Sequence, residues 1–346
     1  MAAAVESLKQ ARRNVEDDTW TPPAILTVAQ WVDTWQERRK ADVALGALRS
    51  TSYNSDASAL ARLPDSFTSR KLRQVGTNIV RGVAVDLIES GLKPQTVLNT
   101  IKALRKVMRA AVDDGIIATD PTVGVKVAAR AADSDFDDLA TWTAEEVADL
   151  LPRLDDRDRH LLTVALLTGM RRSELSGLRW RNVDLDAGVV RVRDPVVMDG
   201  NRAVLRVGVV KSKASRRTIA LPDAAIQALK ERRARQAVDK LAAGPLWVDN
   251  NGGQVFTWED GRQINPDWIT KRVQALAKRH GIQPIGAHGL RHTFATISLA
   301  NGVSLVTVSE ALGHSDVGVT ANTYSHVTES IAREAAETVN AAIFGT

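Results

Sequence analysis

The sequence predicts a mainly α-helical protein with one small antiparallel β-sheet, and three observations predict it. Apolar residues recur at three- and four-residue spacing along most of the chain. Between Gly188 and Leu221 that pattern gives way to short runs rich in Val and Ile, separated by Asp-Gly or charged turns. An acidic stretch at 131–141, with Asp133, Asp135, Asp137 and Asp138, has no periodicity and reads as a hydrated linker between two domains.

Residues 1–24 are polar and end in Thr21-Pro22-Pro23, which breaks a helix, so they are expected to form a tail and linker. A helical domain over 25–130 follows. Thr27 stands where it caps a helix carrying Val28, Trp31, Val32 and Trp35 on one face. The segment 41–71 has no clear period, whereas Leu72, Val75, Ile79, Val83 and Leu87 trace a helix that stops at Gly91. After Lys93-Pro94, the residues Val97, Ile101, Leu104, Met108 and Ala111 form a stripe, with Lys102, Arg105, Lys106 and Arg109 mainly off it. Such a basic face is either a solvated surface or a contact for a polyanion backbone.

The second domain, 142–346, opens on the capping box Thr143-Ala-Glu-Glu146 and an apolar helix through Leu161–Leu167. Strands are expected at Gly188–Arg193, Val204–Val210 and Arg217–Leu221. Helices resume at Pro222–Leu241, Pro266–His280, His288–Ala300, Ser304–Leu312 and Thr328–Ala341.

Composition narrows the function. The 346 residues carry 46 Lys plus Arg against 41 Asp plus Glu, a formal charge of +5, which makes a polyanionic partner plausible without selecting one. There is no cysteine, so disulfides and thiolate metal sites are excluded. No apolar run approaches the roughly 20 residues of a membrane span, and no secretory leader is evident, so a cytoplasmic, nucleoid-associated protein is expected.

Four segments concentrate groups suited to a phosphate diester: Thr168–Leu175, Lys211–Pro222, His288–His292 and Leu312–Tyr324. Phosphoryl transfer needs cations on the nonbridging oxygens, a nucleophile, and an acid for the departing oxygen. In the first segment Arg171 sits near a helix start with Glu174 three residues on, on the same face. In the third, His288 and Arg291 are also three apart. Zinc competes for His288, His292 and His314, but Gly289 stands where an HExxH enzyme has its glutamate, and Arg291 would set a cation beside the metal. No metal or other cofactor is therefore expected, and His292 reads as a packing residue.

The whole set resembles the tyrosine recombinase family, also called phage integrases, whose signature is an Arg box, a hairpin Lys, an HxxR box, a late His or Trp, and a terminal Tyr. The resemblance covers about 140–346 and, more loosely, 25–125, which is similar to that family's core-DNA-binding domain. It implies an α+β catalytic domain in which Arg171, Lys211, His288, Arg291, His314 and Tyr324 are catalytic. In KSKASRRTIALP, Lys211 fits the Lys-(Ser/Thr)-x-x-Ser-Arg-Arg pattern better than Lys213, and the choice stays open. Glu174 reads as a support that orients Arg171. The tail is shorter than the arm-binding domain many phage integrases carry, which leaves use of arm-type sites open.

The resemblance further implies a site-specific recombinase that cuts and rejoins double-stranded DNA through a 3′-phosphotyrosyl intermediate. Integration or excision of a mobile element is the expected role. It implies a homo-tetramer on DNA, assembled by exchange of a C-terminal helix built on Ile331, Ala335, Val339 and Ile343, with a possible DNA-bending or excision factor. Competing readings are a non-cleaving DNA-binding protein of the same fold, a chromosome- or plasmid-dimer resolution recombinase, and a type IB topoisomerase.

Overall fold

The computed structural model describes residues 26–127, 140–199, 202–205, 216–249, 253–314 and 316–324. The tail, most of the acidic linker, both candidate hairpin lysines Lys211 and Lys213, and the amphipathic segment after Tyr324 lie outside the described residues. The chain divides into two compact units, Met1–Asp133 and Ser134–Thr346.

Among the described residues, five helices build the first unit: α1 (Val28–Ala44), α2 (Ser50–Leu60), α3 (Asp65–Thr68), α4 (Thr77–Glu89) and α5 (Pro94–Asp113). The Thr27 cap is a full capping box, with the Thr27 hydroxyl on the Gln30 amide and the Gln30 side chain on the Thr27 amide. Val97, Ile101, Leu104, Met108 and Ala111 on α5 are all buried against Trp31, Phe67, Leu72 and Val83. The buried indole of Trp31 donates to the Val107 carbonyl at 2.9 Å, which satisfies its one polar atom. One expectation is corrected. The helix assigned to Leu72–Leu87 starts only at Thr77, because Gly76 is extended; Leu72 to Gln74 form a single 3-10 turn. Leu72 and Val75 are buried nonetheless, so helical spacing there reflected a shared core and not a shared helix.

In the second unit, α6 (Ala144–Leu150) begins at the Thr143–Glu146 capping box, and α7 (Asp156–Thr168) ends at Gly169 with φ 58°, the left-handed region glycine adopts without strain. The short α8 (Arg172–Ser176) follows. Strands β1 (Val183–Asp184), β2 (Val189–Val192) and β5 (Arg217–Ala220) make one antiparallel sheet in the order β1-β2-β5, and β3 (Val196–Asp199) pairs with β4 (Arg202–Leu205) in a separate ladder. The sequence had put Val204–Val210 in the same sheet as the other two runs, and of that stretch only Val204 and Leu205 are described. Among the described residues the third strand of that sheet is β1, and Leu205 pairs with Val196, which had not been read as strand. Helices α9 (Asp223–Ala243), α10 (Pro266–His280), α11 (Ala287–Ala300), α12 (Leu305–Leu312) and α13 (Val317–Thr323) complete the described unit. The apolar α7 is its centre, packed on one side by α9 and on another by α11. Among the described residues no helix is long and apolar enough to cross a membrane.

Two glycines give opposite predictions. A Cβ at Gly177 would lie 1.8 Å from the Asp194 carbonyl oxygen, a backbone atom that cannot swing aside. Gly82, inside α4, has open space around it and an ordinary φ. Thermal unfolding should therefore show Gly177→Ala losing about 3 kcal/mol or more in the second unit, while Gly82→Ala gains about 0.5–1 kcal/mol in the first.

Candidate active site

The site grows from the end of α7. Gly169 turns the chain, and Arg171, extended at φ −69° and ψ 151°, becomes the N-cap of α8, which puts Glu174 at the third helical position beneath it. Glu174 is buried at 6% exposure. Its carboxylate accepts from the Arg171 amide (2.8 Å) and Arg171 Nη1 (2.9 Å), and from Arg217 Nη1 (3.0 Å) and Nη2 (2.9 Å) at the start of β5. Burial alone would raise its pKa, but the Arg217 and Arg171 guanidiniums and the amide outweigh that and hold it below the ordinary value.

Arg291 projects from the first turns of α11 and is 2% exposed. Its Nη1 donates to the Gly169 carbonyl at 2.9 Å and its Nη2 to the Leu312 carbonyl at 2.6 Å. Arg217 Nε donates to the Ala311 carbonyl at 2.6 Å, and Arg171 Nη2 to the Gly313 carbonyl at 3.3 Å. Three guanidiniums thus take three consecutive carbonyls at the C-terminus of α12, the negative end of its dipole. Gly313, at φ 68°, closes that helix and delivers His314 into the same space. Burial first, then repulsion from Arg171 and Arg217, pushes the Arg291 pKa down to about 9. The cluster sets three guanidiniums against one carboxylate.

Tyr324 ends α13 and is 2% exposed. Its hydroxyl lies 2.6 Å from His292 Nδ1, and the His288 ring stands edge-on to that of His292 at 4.5 Å between centroids. Burial pushes the phenol up to about 12, with Arg291 opposing. His292 is pushed down to about 4 by burial and then by His288, Arg291 and His314. His314 is pushed down to about 4 by burial and then by Arg291 and Arg171, and its Nδ1 is bonded to Thr320 Oγ1 at 2.7 Å. Both imidazoles are therefore neutral at physiological pH.

Arg171, Glu174, His288, Arg291, His314 and Tyr324 are thus gathered around one cationic centre, while Lys211 lies outside the described residues. Two members of the site escaped the sequence reading. Arg217 was visible only as part of the Ser-Arg-Arg pattern. His292, read as packing, is buried against His288 and Tyr324 and is in addition the hydrogen-bond partner of the tyrosine hydroxyl. Among the described residues no group of three or more His, Cys, Asp or Glu stands close enough to hold a metal.

In the first unit, the four basic residues of α5 differ in their surroundings. Lys106 pairs with the buried Asp56 at 2.6 Å, beside Arg39, and Arg105 donates to Thr122 and to the Val125 carbonyl. Lys102 and Arg109 are exposed.

This constellation of tyrosine, arginines and histidines agrees with a family match: the phage integrase family covers residues 141–330. The chain belongs to the phage integrase family. A tyrosine recombinase described as XerC-like, from Caldanaerobacter subterraneus subsp. tengcongensis, is 35% identical over 70% of this chain and 66% of its own length. Tyrosine recombinase XerC of Xanthomonas campestris pv. campestris is 27% identical over 94% of this chain and 93% of its own. Among solved structures, the Tn1549 transposon integrase in complex with a circular intermediate DNA superposes with a TM-score of 0.73 over 91% of this chain and 99% of that one, at 20% identity, a likeness of fold. Like these relatives, the chain is a tyrosine-type site-specific DNA recombinase.

Removing the buried carboxylate tests the electrostatics. Glu174→Gln should cost about 3–5 kcal/mol, because two guanidiniums lose their counter-ion in a dry site. Since the folded carboxyl titrates below its unfolded value, its contribution is complete above that unfolded value, near 4.5, and drains away as pH falls through the folded one. Urea unfolding from pH 7 down to 3 should accordingly show a shallower loss of stability in the variant than in the parent.

Proposed function

We propose that this recombinase cleaves one DNA strand by attack of Tyr324 on the scissile phosphate, clamped by Arg171 and Arg291. The Tyr324 oxygen forms a bond to phosphorus as the bond to the 5′-oxygen breaks, leaving a 3′-phosphotyrosyl enzyme. Lys211 gives the departing 5′-oxygen its proton, so that a free 5′-hydroxyl remains. His288 takes up the proton that the Tyr324 hydroxyl gives up as it attacks, and His314 donates a hydrogen bond to the phosphate. A 5′-hydroxyl from another duplex then attacks the phosphotyrosine and restores a phosphodiester. One ester is exchanged for another in each step, so the cycle needs no nucleotide hydrolysis.

The observation that carries the proposal is the meeting of three guanidiniums with a single buried tyrosine in one site. A phosphodiester supplies the missing negative charge, and cations aimed at its nonbridging oxygens stabilise the pentacovalent transition state. Arg217 works one step back, holding Glu174 and through it Arg171.

Integration or excision of a mobile element is the biological role we favour, with support from the fold shared with a transposon integrase. Resolution of chromosome or plasmid dimers is the second reading, favoured by the nearly full-length match to a XerC recombinase. Repeats bordering the gene would support the first, and a single chromosomal site the second. Double-stranded DNA is the partner in either case. The exposed Lys102 and Arg109 are offered as backbone contacts of the helical unit, with Arg105 and Lys106 contributing where their internal bonds leave donors available. Assembly as a tetramer through the C-terminal segment, the use of an accessory bending or excision factor, and a cytoplasmic, nucleoid-associated location belong to the same proposal.

Incubation with a nicked duplex that traps the cleaved strand should yield a covalent adduct on a denaturing gel. Tyr324→Phe should give none while binding the duplex as the parent does. An adduct that persists in the variant would overturn the assignment of the nucleophile.

A further inference from the structure

We infer that His292, the residue after the HxxR box, is a positioning residue for the nucleophile: it accepts the hydrogen bond of the Tyr324 hydroxyl and fixes where that oxygen stands. This rests on the function proposed above.

The geometry is specific. The hydroxyl is 2.6 Å from Nδ1, and both side chains are buried, at 2% exposure for Tyr324 and 7% for His292. The phenolic ring is otherwise set in a small apolar cluster of Ala295, Leu299, Val308 and Leu312, with Phe294 and Leu305 at its edge. Those neighbours grip the ring but offer the oxygen no dipole. A buried hydroxyl without a partner is costly, and among the described residues it is the His292 imidazole that meets the oxygen and sets its orientation.

Chemistry separates positioning from proton transfer. A neutral imidazole with its proton on Nε2 presents Nδ1 as an acceptor, which matches a phenolic donor. Burial pushes the phenol up to about 12 and the imidazole down to about 4, both in the direction that keeps the proton on the tyrosine oxygen. His292 therefore aligns the hydroxyl without deprotonating it. His288 supports the alignment from behind, its ring perpendicular to that of His292 at 4.5 Å. The backbone adds a second constraint, because His292 directly follows Arg291, whose guanidinium is tied to the Gly169 and Leu312 carbonyls. One turn of α11 thus carries both a phosphate-clamping cation and the acceptor that aims the nucleophile.

The protein has only two tyrosines, Tyr53 and Tyr324, which makes the contact directly observable. With 13Cζ-labelled tyrosine in full-length Tyr53→Phe protein, one signal reports the Tyr324 hydroxyl in the absence of DNA. His292→Leu, which cannot accept, should shift that signal away from its hydrogen-bonded position. His292→Gln, whose Oε1 can accept, should return it toward the parent. On the trapping duplex at saturating protein, adduct formation should fall about 10- to 100-fold in the Leu variant with duplex binding changed less than twofold. The Gln variant should recover at least a third of the parent rate.

An unmoved tyrosine signal in the Leu variant, an undiminished adduct rate, or equal impairment in the Leu and Gln variants would each overturn the inference. A parent protein that makes no adduct would instead overturn the proposed function, and the spectroscopic result would still decide whether His292 holds the tyrosine.

Discussion

Everything at this site depends on one carboxylate. Arg171, Arg217 and Arg291 repel one another, and in a desolvated space that repulsion would drive them apart. Glu174 sits between two of them, with both oxygens bonded, and converts a repulsive cluster into a network. Its position is in turn set by a local device, the N-cap geometry that Gly169 makes possible by ending α7 where it does. The arginines remain in excess over the carboxylate, and that excess is what a phosphodiester would meet.

The second constraint is a helix end used as an anion. The last carbonyls of α12 have no partners within their own helix, and they carry the negative pole of its dipole. Each of the three arginines satisfies one of them. This arrangement does two jobs with the same donors. It offsets part of the positive charge without adding a second acidic side chain. It also ties the Gly313 turn, and so His314, to the cationic centre. His314 then bonds Thr320 on α13, the helix whose end is Tyr324. The run from Ala311 to Tyr324 thus carries the carbonyls that the three arginines share, His314 and the tyrosine on one short stretch of backbone.

Much of this was legible in the sequence, and the division follows the range of the interactions. The capping boxes at Thr27 and Thr143 and the buried stripe of α5 are local, so spacing alone gave them. The residues suited to phosphoryl transfer could be named by type and order. Strand pairing could not, since nothing local in Val204 or Leu205 says that the partner is β3 and not the sheet of β2 and β5. Arg217 and His292 were missed for the same reason. Arg217 is 43 positions from Glu174, and His292 is 32 from Tyr324. The helix expected from Leu72 failed differently: burial has the same spacing whether or not the backbone between buried residues is helical, and Gly76 interrupted it.

The protonation states bear on when such a site can react. His292 and His314 are held neutral by burial and by the arginines around them, and Tyr324 is held protonated by burial. The same low-dielectric enclosure that strengthens each ionic contact keeps the Tyr324 phenol protonated. A phosphate entering this space would neutralise part of the arginine charge that depresses the imidazoles, and with it the Arg291 charge that opposes the rise of the phenol. Raising His314 toward the protonated form makes its Nε2 a charged donor to phosphate oxygens, whereas His292 keeps Nδ1 as an acceptor for the Tyr324 hydroxyl only while it stays neutral. The phenol would then lose its proton during attack and not before it, since a Tyr324 hydroxyl buried at 2% exposure and held near 12 is not a standing phenolate in the free protein.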